Sequence, residues 1–282
     1  MRILFATDLH GIQQKYDLLF KVANAFHADV VINAGDMLPN TGGIVDQMSF
    51  VNYNLDQHFA KFNKAGIYYL CYLGNDDLRI FDDLFDETCS KYPFVKNIAQ
   101  RKISIEGYEF IGMNWVVDYP FGLKDRCRMD TQDYVFQKQK GKGLLSSNKG
   151  WQELDDWFSY AKTLPTIENE LNRLVRPENI KQSIYVIHMP PCCLGLDRCK
   201  SGEEVGSKAL YHFLQNNQPL LSLHGHIHES PDITSIWQAK IGETICVQPG
   251  QSNSRLTYVT IDLDVMKIQR WQKFERSKLW ER

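Results

Sequence analysis

ILFATDLHGIQQKYDLLFKVANAFHADVVINAGD, residues 3–36, holds two short apolar runs with an amphipathic stretch between them. ILFAT (3–7) and VVINA (30–34) are of strand length. Leu18, Leu19, Val22, Ala23 and Phe26 between them recur at helical spacing on one face, so the stretch reads as strand, helix, strand. The pattern continues outward. Met48, Val51, Leu55, Phe59 and Phe62 predict a second helix, and IYYLCYL (67–73) is aromatic and β-branched enough for a third strand. Such alternation predicts an α/β protein with a mostly parallel sheet and right-handed crossovers. After Pro93 the runs shorten, and KISIE and YEFIGMNW, parted by Gly107, predict a hairpin.

Residues 116–150 break the pattern. They are rich in Gly, Lys and aromatics and carry seven Lys and Arg against four Asp, a local excess of +3. Long irregular segments inside compact domains tend to serve function, so an inserted loop or cap is expected here, with Lys124 or Arg126 as candidate substrate contacts. A helix is expected through Trp151, Leu154, Trp157, Phe158 and Ala161. Alternation then resumes with SIYVIH, a helix through Val205, Ala209, Leu210 and Phe213, LLSLHGH, and the short strands SIWQA, TICVQ and LTYVTID. No repeat and no interdomain linker stand out, so residues 1–282 read as a single domain.

Composition bounds the function. The chain has 282 residues, 43% of them hydrophobic and 23% charged, with 32 Lys plus Arg against 34 Asp plus Glu and a net charge of -2. That is neither a disordered chain nor a polycationic nucleic-acid binder, and any attraction for phosphate has to be local. The first residues lack the apolar core of a signal segment and longer runs are broken by polar residues, so a soluble cytoplasmic protein with no membrane partner is expected. Seven scattered cysteines without CxxC spacing read as reduced thiols. Cys192 and Cys193 are adjacent and make an awkward chelate.

The apolar runs end in metal-binding residue types: Asp8 and His10, then Asp36, then Asn75, and later His188, His226 and His228. Ligands of a parallel α/β sheet bind beyond the carboxyl ends of its strands, where these residues converge. Seven oxygen and imidazole donors exceed what one ion takes at about four to six positions. Two ions fit better, and a site about 3.5–4 Å across needs a shared carboxylate, for which Asp36 is the obvious bridge. Gly35, Gly74 and Gly225 neighbour ligands, where a missing side chain permits sharp turns and close approach. His27, His58 and His212 have no ligand neighbours and read as surface or packing residues.

The ordered blocks D8-L-H10, G35-D36, G74-N75-D76-D77, H188 and G225-H226-I227-H228 resemble the calcineurin-like metallophosphoesterases, across residues 8–228. The resemblance implies a four-layer αββα sandwich of two mixed sheets flanked by helices. It implies one metal held by Asp8, His10, Asp36 and His228, and another held by Asp36, Asn75, His188 and His226. It also implies hydrolysis by a metal-bridging hydroxide attacking phosphorus in line with the leaving oxygen. Mixed N and O ligation suits Mn, Fe, Zn or Ni, and Mn is favoured.

One block departs from the family, which has His where this chain has Asp76. Near two cations Asp76 should be ionised and a poor proton donor, so Asn75, Asp76 and Asp77 enter as candidate catalytic residues with the leaving-group chemistry altered. His224 enters as a residue that supports the ligands from behind or contacts substrate. Two divalent ions less two carboxylates and a hydroxide leave about one positive charge, which favours a phosphodiester or an ester with a good leaving group. The expected partner is a small-molecule or nucleotide-like phosphate ester. A nuclease of the same fold, using the basic insert, and a scaffold that has lost turnover are the alternatives.

Overall fold

The computed structural model describes residues 1–274. Two six-stranded sheets stack face to face. In the first, Arg2–Ala6, Val30–Ala34, Tyr68–Tyr72 and Val95–Asn97 run parallel, and Leu256–Asp262 and Lys267–Lys273 add an antiparallel edge beside Arg2–Ala6. In the second, Tyr108–Met113, Ser183–Ile187, Leu221–Leu223 and Thr244–Val247 run parallel, with Lys102–Ile105 and Gln238–Ile241 antiparallel at its two edges. Both sheets are therefore mixed, and the hairpin expected on either side of Gly107 forms.

Strand periodicity explains the layers, because successive side chains face opposite ways. Ile3 and Phe5 point between the sheets with Val30, Ile32, Leu70, Ile184, Val186, Leu221 and Leu223. Leu4 and Ala6 point outward against Leu18, Leu19, Val22 and Ala23 of helix Gln13–Phe26 and Phe59 and Phe62 of helix Asp56–Ala65. The outer face of the second sheet is covered by helices Trp157–Ala161, Ile167–Arg173 and Lys208–Asn217, through Trp157, Leu171, Leu210 and Phe213. Helix, sheet, sheet and helix make the four-layer sandwich.

Several elements depart from the sequence reading, an unexpected helix Ile167–Arg173 and strand Val95–Asn97 among them. The helix expected from Trp151 is a strand, Gly150–Leu154, paired antiparallel with Gly143–Ser147. Gly150, at a φ of 106°, closes that turn. The helix begins only after Asp156, whose carboxylate accepts the Ser159 N–H at 3.0 Å as an N-cap. Trp151 is accordingly 49% exposed, whereas Trp157 is core. Strand Lys267–Lys273 and helix Asp82–Ser90 form where no element was expected. No helix of the described residues is long and apolar enough to cross a membrane.

Candidate metal centre

The carboxyl ends of both sheets' parallel strands meet at one edge, and there the chain turns back on itself in unusual backbone. Asp8, His10, Asp36 and His226 all have positive φ, at 57°, 47°, 49° and 70°. Left-handed backbone is uncommon outside glycine and is retained only where the surroundings over-determine it. Here the loops are bonded to each other: Asp8 N–H donates to Gly35 O at 3.0 Å, and His10 N–H to Asp36 O at 2.9 Å. A Cβ on Gly74 would lie 2.2 Å from Asp36 Oδ1, and one on Gly225 would lie 2.1 Å from Thr7 Oγ1. Glycine is what lets these loops interlock.

Seven donors result in two groups sharing Asp36. Ligand atoms of Asp8, His10, Asp36 and His228 all lie within 4.8 Å of one another, as do those of Asp36, His188 and His226. Asn75 joins the second group, its Oδ1 being 2.8 Å from His188 Nε2 and 2.6 Å from His226 Nδ1. In the first, the Nε2 atoms of His10 and His228 are 3.1 Å apart, and His228 Nε2 is 3.2 Å from Asp8 Oδ1. Spacings near 3 Å are the edges of a coordination shell with bonds of roughly 2.0–2.2 Å.

The donor chemistry supplies the test of fit. His188 Nδ1 lies 2.6 Å from the Ala34 carbonyl, which requires the proton on that nitrogen. Neutral His188 then turns the lone pair of Nε2 toward Asn75 Oδ1 and, at 3.3 Å, Asp36 Oδ2. Acceptors face acceptors, and a cation resolves the conflict. With the protein's own charges alone the conflict falls on protons. Burial opposes a charged His188, but the Asp36 and Asp8 carboxylates outweigh it and raise the ring to about 9. His228 is likewise raised to about 9, burial being overcome by Asp8. Burial would raise Asp36, and its histidine partners hold it well below the usual carboxylate range instead. Burial and the charge on His188 lower His226 to about 3, which leaves a neutral ligand. The residues fit a pair of divalent cations.

The other expected site residues separate by burial. Asp76 lies at the mouth, its Oδ1 accepting the Asn75 amide at 2.9 Å. Its enclosure and the charge of Asp36 raise it to about 8, so the ionised state expected for it depends on cation charge opposite. Asp77, grouped with the catalytic residues for an orienting role, is fully buried and is placed as a positioning residue. Its carboxylate accepts the backbone N–H groups of Met37, Leu38 and Gly74 at 2.7–2.9 Å and so ties the Asp36 loop to the Asn75 loop.

Lys124 and Arg126 are corrected as substrate contacts, since neither reaches the opening, and of the two readings of His224 the geometry fits the one behind the ligands. Lys124 is enclosed, with its ammonium 2.7 Å from Asp118 Oδ1 and also donating to the Tyr119 carbonyl. Arg126 donates from Nε to Gly74 O at 2.8 Å and chelates Asp82, so this basic residue braces the ligand loop. His224 Nδ1 lies against the carbonyls of Ile187 and Met189 below the ligand layer. Two positioning residues escaped the sequence reading. Gln248 Nε2 donates to Gly225 O and Ile227 O at 2.7 and 2.8 Å and holds the HGHIH turn, while Gln251 Nε2 donates to Thr7 O at 3.0 Å. The polar QPGQ following a buried strand was the available signal.

A cavity of about 560 Å³ opens over the centre, with Asp36, Asn75, Asp76, His226 and His228 at its base. Residues of the 116–150 segment form one wall and the 199–205 loop forms the other.

The family model described as calcineurin-like phosphoesterase matches residues 1–230. Among curated proteins none matches the sequence significantly. Among solved structures, the protein TT1561 of Thermus thermophilus is 16% identical and superposes with a TM-score of 0.58 over 96% of this chain and 98% of that one. A dimetal phosphatase from Danio rerio is 8% identical, with a TM-score of 0.53 over 98% of this chain and 96% of its own. A further solved chain, 17% identical, gives 0.61 over 96% and 98%. At these identities the likeness is one of fold.

Proposed function

The chain belongs to the calcineurin-like phosphoesterase family, hydrolases of phosphoric ester bonds with a binuclear centre of divalent metals, and from that premise we propose that it cleaves a phosphodiester or an activated phosphomonoester, with manganese the favoured metal. The observation that carries this reading is the pair of donor groups sharing Asp36, opening into one cavity. Asp8, His10, Asp36 and His228 would hold one cation, and Asp36, Asn75, His188 and His226 the other. Such cations supply Lewis acidity toward the phosphoryl oxygens and lower the pKa of water.

The chain's own residues set the rest. The Ala34 carbonyl fixes the tautomer of His188. Asp76 turns the Asn75 amide so that Oδ1 faces the histidines. Opposite two cations Asp76 is ionised, and no imidazole stands at its position to protonate a departing alkoxide. Esters whose leaving group departs as a stable anion, and monoanionic diesters that the rim carboxylate repels less than dianions, therefore suit the site. Segment 116–150 acts as a cap on a single-domain enzyme, and the seven free cysteines of the chain fit a cytoplasmic setting.

Protein reconstituted with manganese tests the reading through kcat/KM on aryl diester and aryl monoester substrates. The diester is expected to be preferred, Asn75→Ala to abolish turnover, and Asp76→His to raise hydrolysis of monoesters with poor leaving groups. A hundredfold preference of the unaltered protein for the monoester overturns the diester assignment, and a loss on every substrate in Asp76→His overturns the role given to Asp76.

A further inference from the structure

The wall contributed by the 116–150 segment is not the basic surface its composition suggests. Its lysine and arginine nearest the centre are buried, and beside polar residues such as Gln137 and Lys140 it presents two aromatic rings to the cavity: the Tyr119 ring stands 5.9 Å from the His226 ring, and the Phe121 ring a further 6.0 Å from Tyr119. Three rings thus lead from a metal ligand to the outside. Phe121 lines the cavity and is 57% exposed, so its ring is open to a bound molecule. The ammonium of Lys140 lies 4.6 Å over its ring centroid, and the Lys140 backbone N–H donates to Pro120 O at 2.8 Å, so the cation is held at the rim beside the ring.

Tyr119 is held by its own hydroxyl, which donates to Leu123 O at 2.9 Å, and by the Lys124 ammonium 5.0 Å from its ring. The buried ion pair of Lys124 and Asp118 is what keeps this wall rigid, with Trp157 Nε1 donating to Asp118 Oδ1 at 2.9 Å. A fixed inner ring and an exposed outer ring with a cation over one of its faces make a surface on which a flat π system carrying electron-rich or anionic groups can stack against the other face. On the opposite wall, Glu229 accepts the Lys200 N–H at 3.1 Å and Ser201 donates to Glu203 at 3.1 Å, so both carboxylates are engaged by the 199–205 loop.

We propose that the Tyr119 and Phe121 wall is a subsite for an aromatic arm of the substrate, and that the substrate is a phosphodiester one of whose arms is a nucleoside or a comparable aryl-bearing group. This rests on the phosphodiester reading of the centre and specifies its substrate class. The volume of about 560 Å³ suits it, since it holds a molecule of nucleotide size and exceeds what the phosphoryl group alone needs. Stacking on Phe121 selects for a π face and tolerates different bases, because every base has one.

Two esters that share a leaving group and differ in the other arm provide the test: thymidine 5′-(4-nitrophenyl phosphate) and methyl 4-nitrophenyl phosphate. The readout is the ratio of their kcat/KM values in the manganese-loaded protein. The ratio is expected to favour the thymidine ester, to fall about tenfold in Phe121→Ala, as loss of one stacking contact implies, and to recover in Phe121→Trp. Calorimetric binding of thymidine 5′-monophosphate to the same three proteins is the second readout, expected to weaken about tenfold in Phe121→Ala and recover in Phe121→Trp. An unchanged ratio together with unchanged binding in Phe121→Ala overturns the subsite. Absence of turnover on either ester, with the binding loss intact, overturns the phosphodiester reading and leaves the subsite standing.

Discussion

Two buried charged clusters lie within a few residues of the same cavity, and they are built on opposite rules. Around Lys124 the charges are closed on themselves: the ammonium meets Asp118 and the Tyr119 carbonyl, and Asp118 also accepts from Trp157 Nε1 and, at 3.1 Å, from Gln139 Nε2. Around Asp36 they are open: two carboxylates, an amide oxygen and four imidazoles aim ligand atoms at each other with no lysine or arginine among them. A buried charge needs a partner, and the first cluster finds it in the chain while the second finds it in cations from outside. The difference separates a structural strut from a reaction centre more sharply than residue type does, since both are made of buried ionisable groups.

Breaking the closed cluster should have the largest effect. Lys124→Met leaves Asp118 buried and unpaired, and is expected to cost about 3–5 kcal/mol of stability in chemical denaturation. Lys124→Met combined with Asp118→Leu should recover most of that, because the pair is replaced by apolar packing. A single variant costing less than about 1 kcal/mol, the value of an exposed pair, would place Lys124 in solvent. The open cluster should respond in activity rather than stability. Asp36→Asn removes the carboxylate common to both donor groups and is expected to lower kcat/KM at least about a hundredfold, beyond what loss of a residue supporting a ligand causes. Bound divalent metal, measured by elemental analysis, should fall from two per chain to one or none. Retention of two ions in Asp36→Asn would remove Asp36 from the bridging position.

The open cluster was legible in the sequence and the closed one was not, for a physical reason. Asp8, Asp36, Asn75, His188 and His226 each follow an apolar run, and parallel topology carries the ends of such runs to one edge, so order along the chain predicts proximity. Lys124 and Arg126 lie in a segment without periodicity, where nothing local says whether a basic residue faces water or a buried carboxylate brought in from Asp118 or Asp82. Left-handed backbone at Asp8, His10, Asp36 and His226 was equally hidden, being imposed by the loops bonding to one another. At Trp151 the apolar spacing fits a helix and also fits a hairpin strand closed by Gly150, and the Asp156 cap decides where the helix starts. The sheets fared better because alternation at Ile3, Leu4, Phe5 and Ala6 is itself the layer structure.

His58 sharpens the comparison from a third side, as a buried ionisable group that belongs to neither kind of cluster. Both ring nitrogens lack hydrogen-bond partners, and the ring sits in an aromatic cage with centroids of Tyr16, Phe62 and Tyr69 at 4.9, 4.9 and 5.2 Å. Burial, reinforced by Lys61 and opposed by Asp17, lowers its pKa from 6.5 to about 3. Between those values the unfolded chain binds a proton that the folded chain refuses. The contribution of a neutral His58 is thus full above pH 6.5 and is lost as pH falls toward 3. At pH 5 the loss amounts to about 2 kcal/mol relative to pH 8, at roughly 1.4 kcal/mol per pH unit. Phe fits the same cage and does not titrate. The stability of His58→Phe relative to the unaltered chain should therefore rise by about 2 kcal/mol between pH 8 and pH 5, read from denaturation midpoints at the two values. A difference constant across that range would mean that His58 finds a proton acceptor in the folded chain, and the cage would then be a closed cluster like that of Lys124.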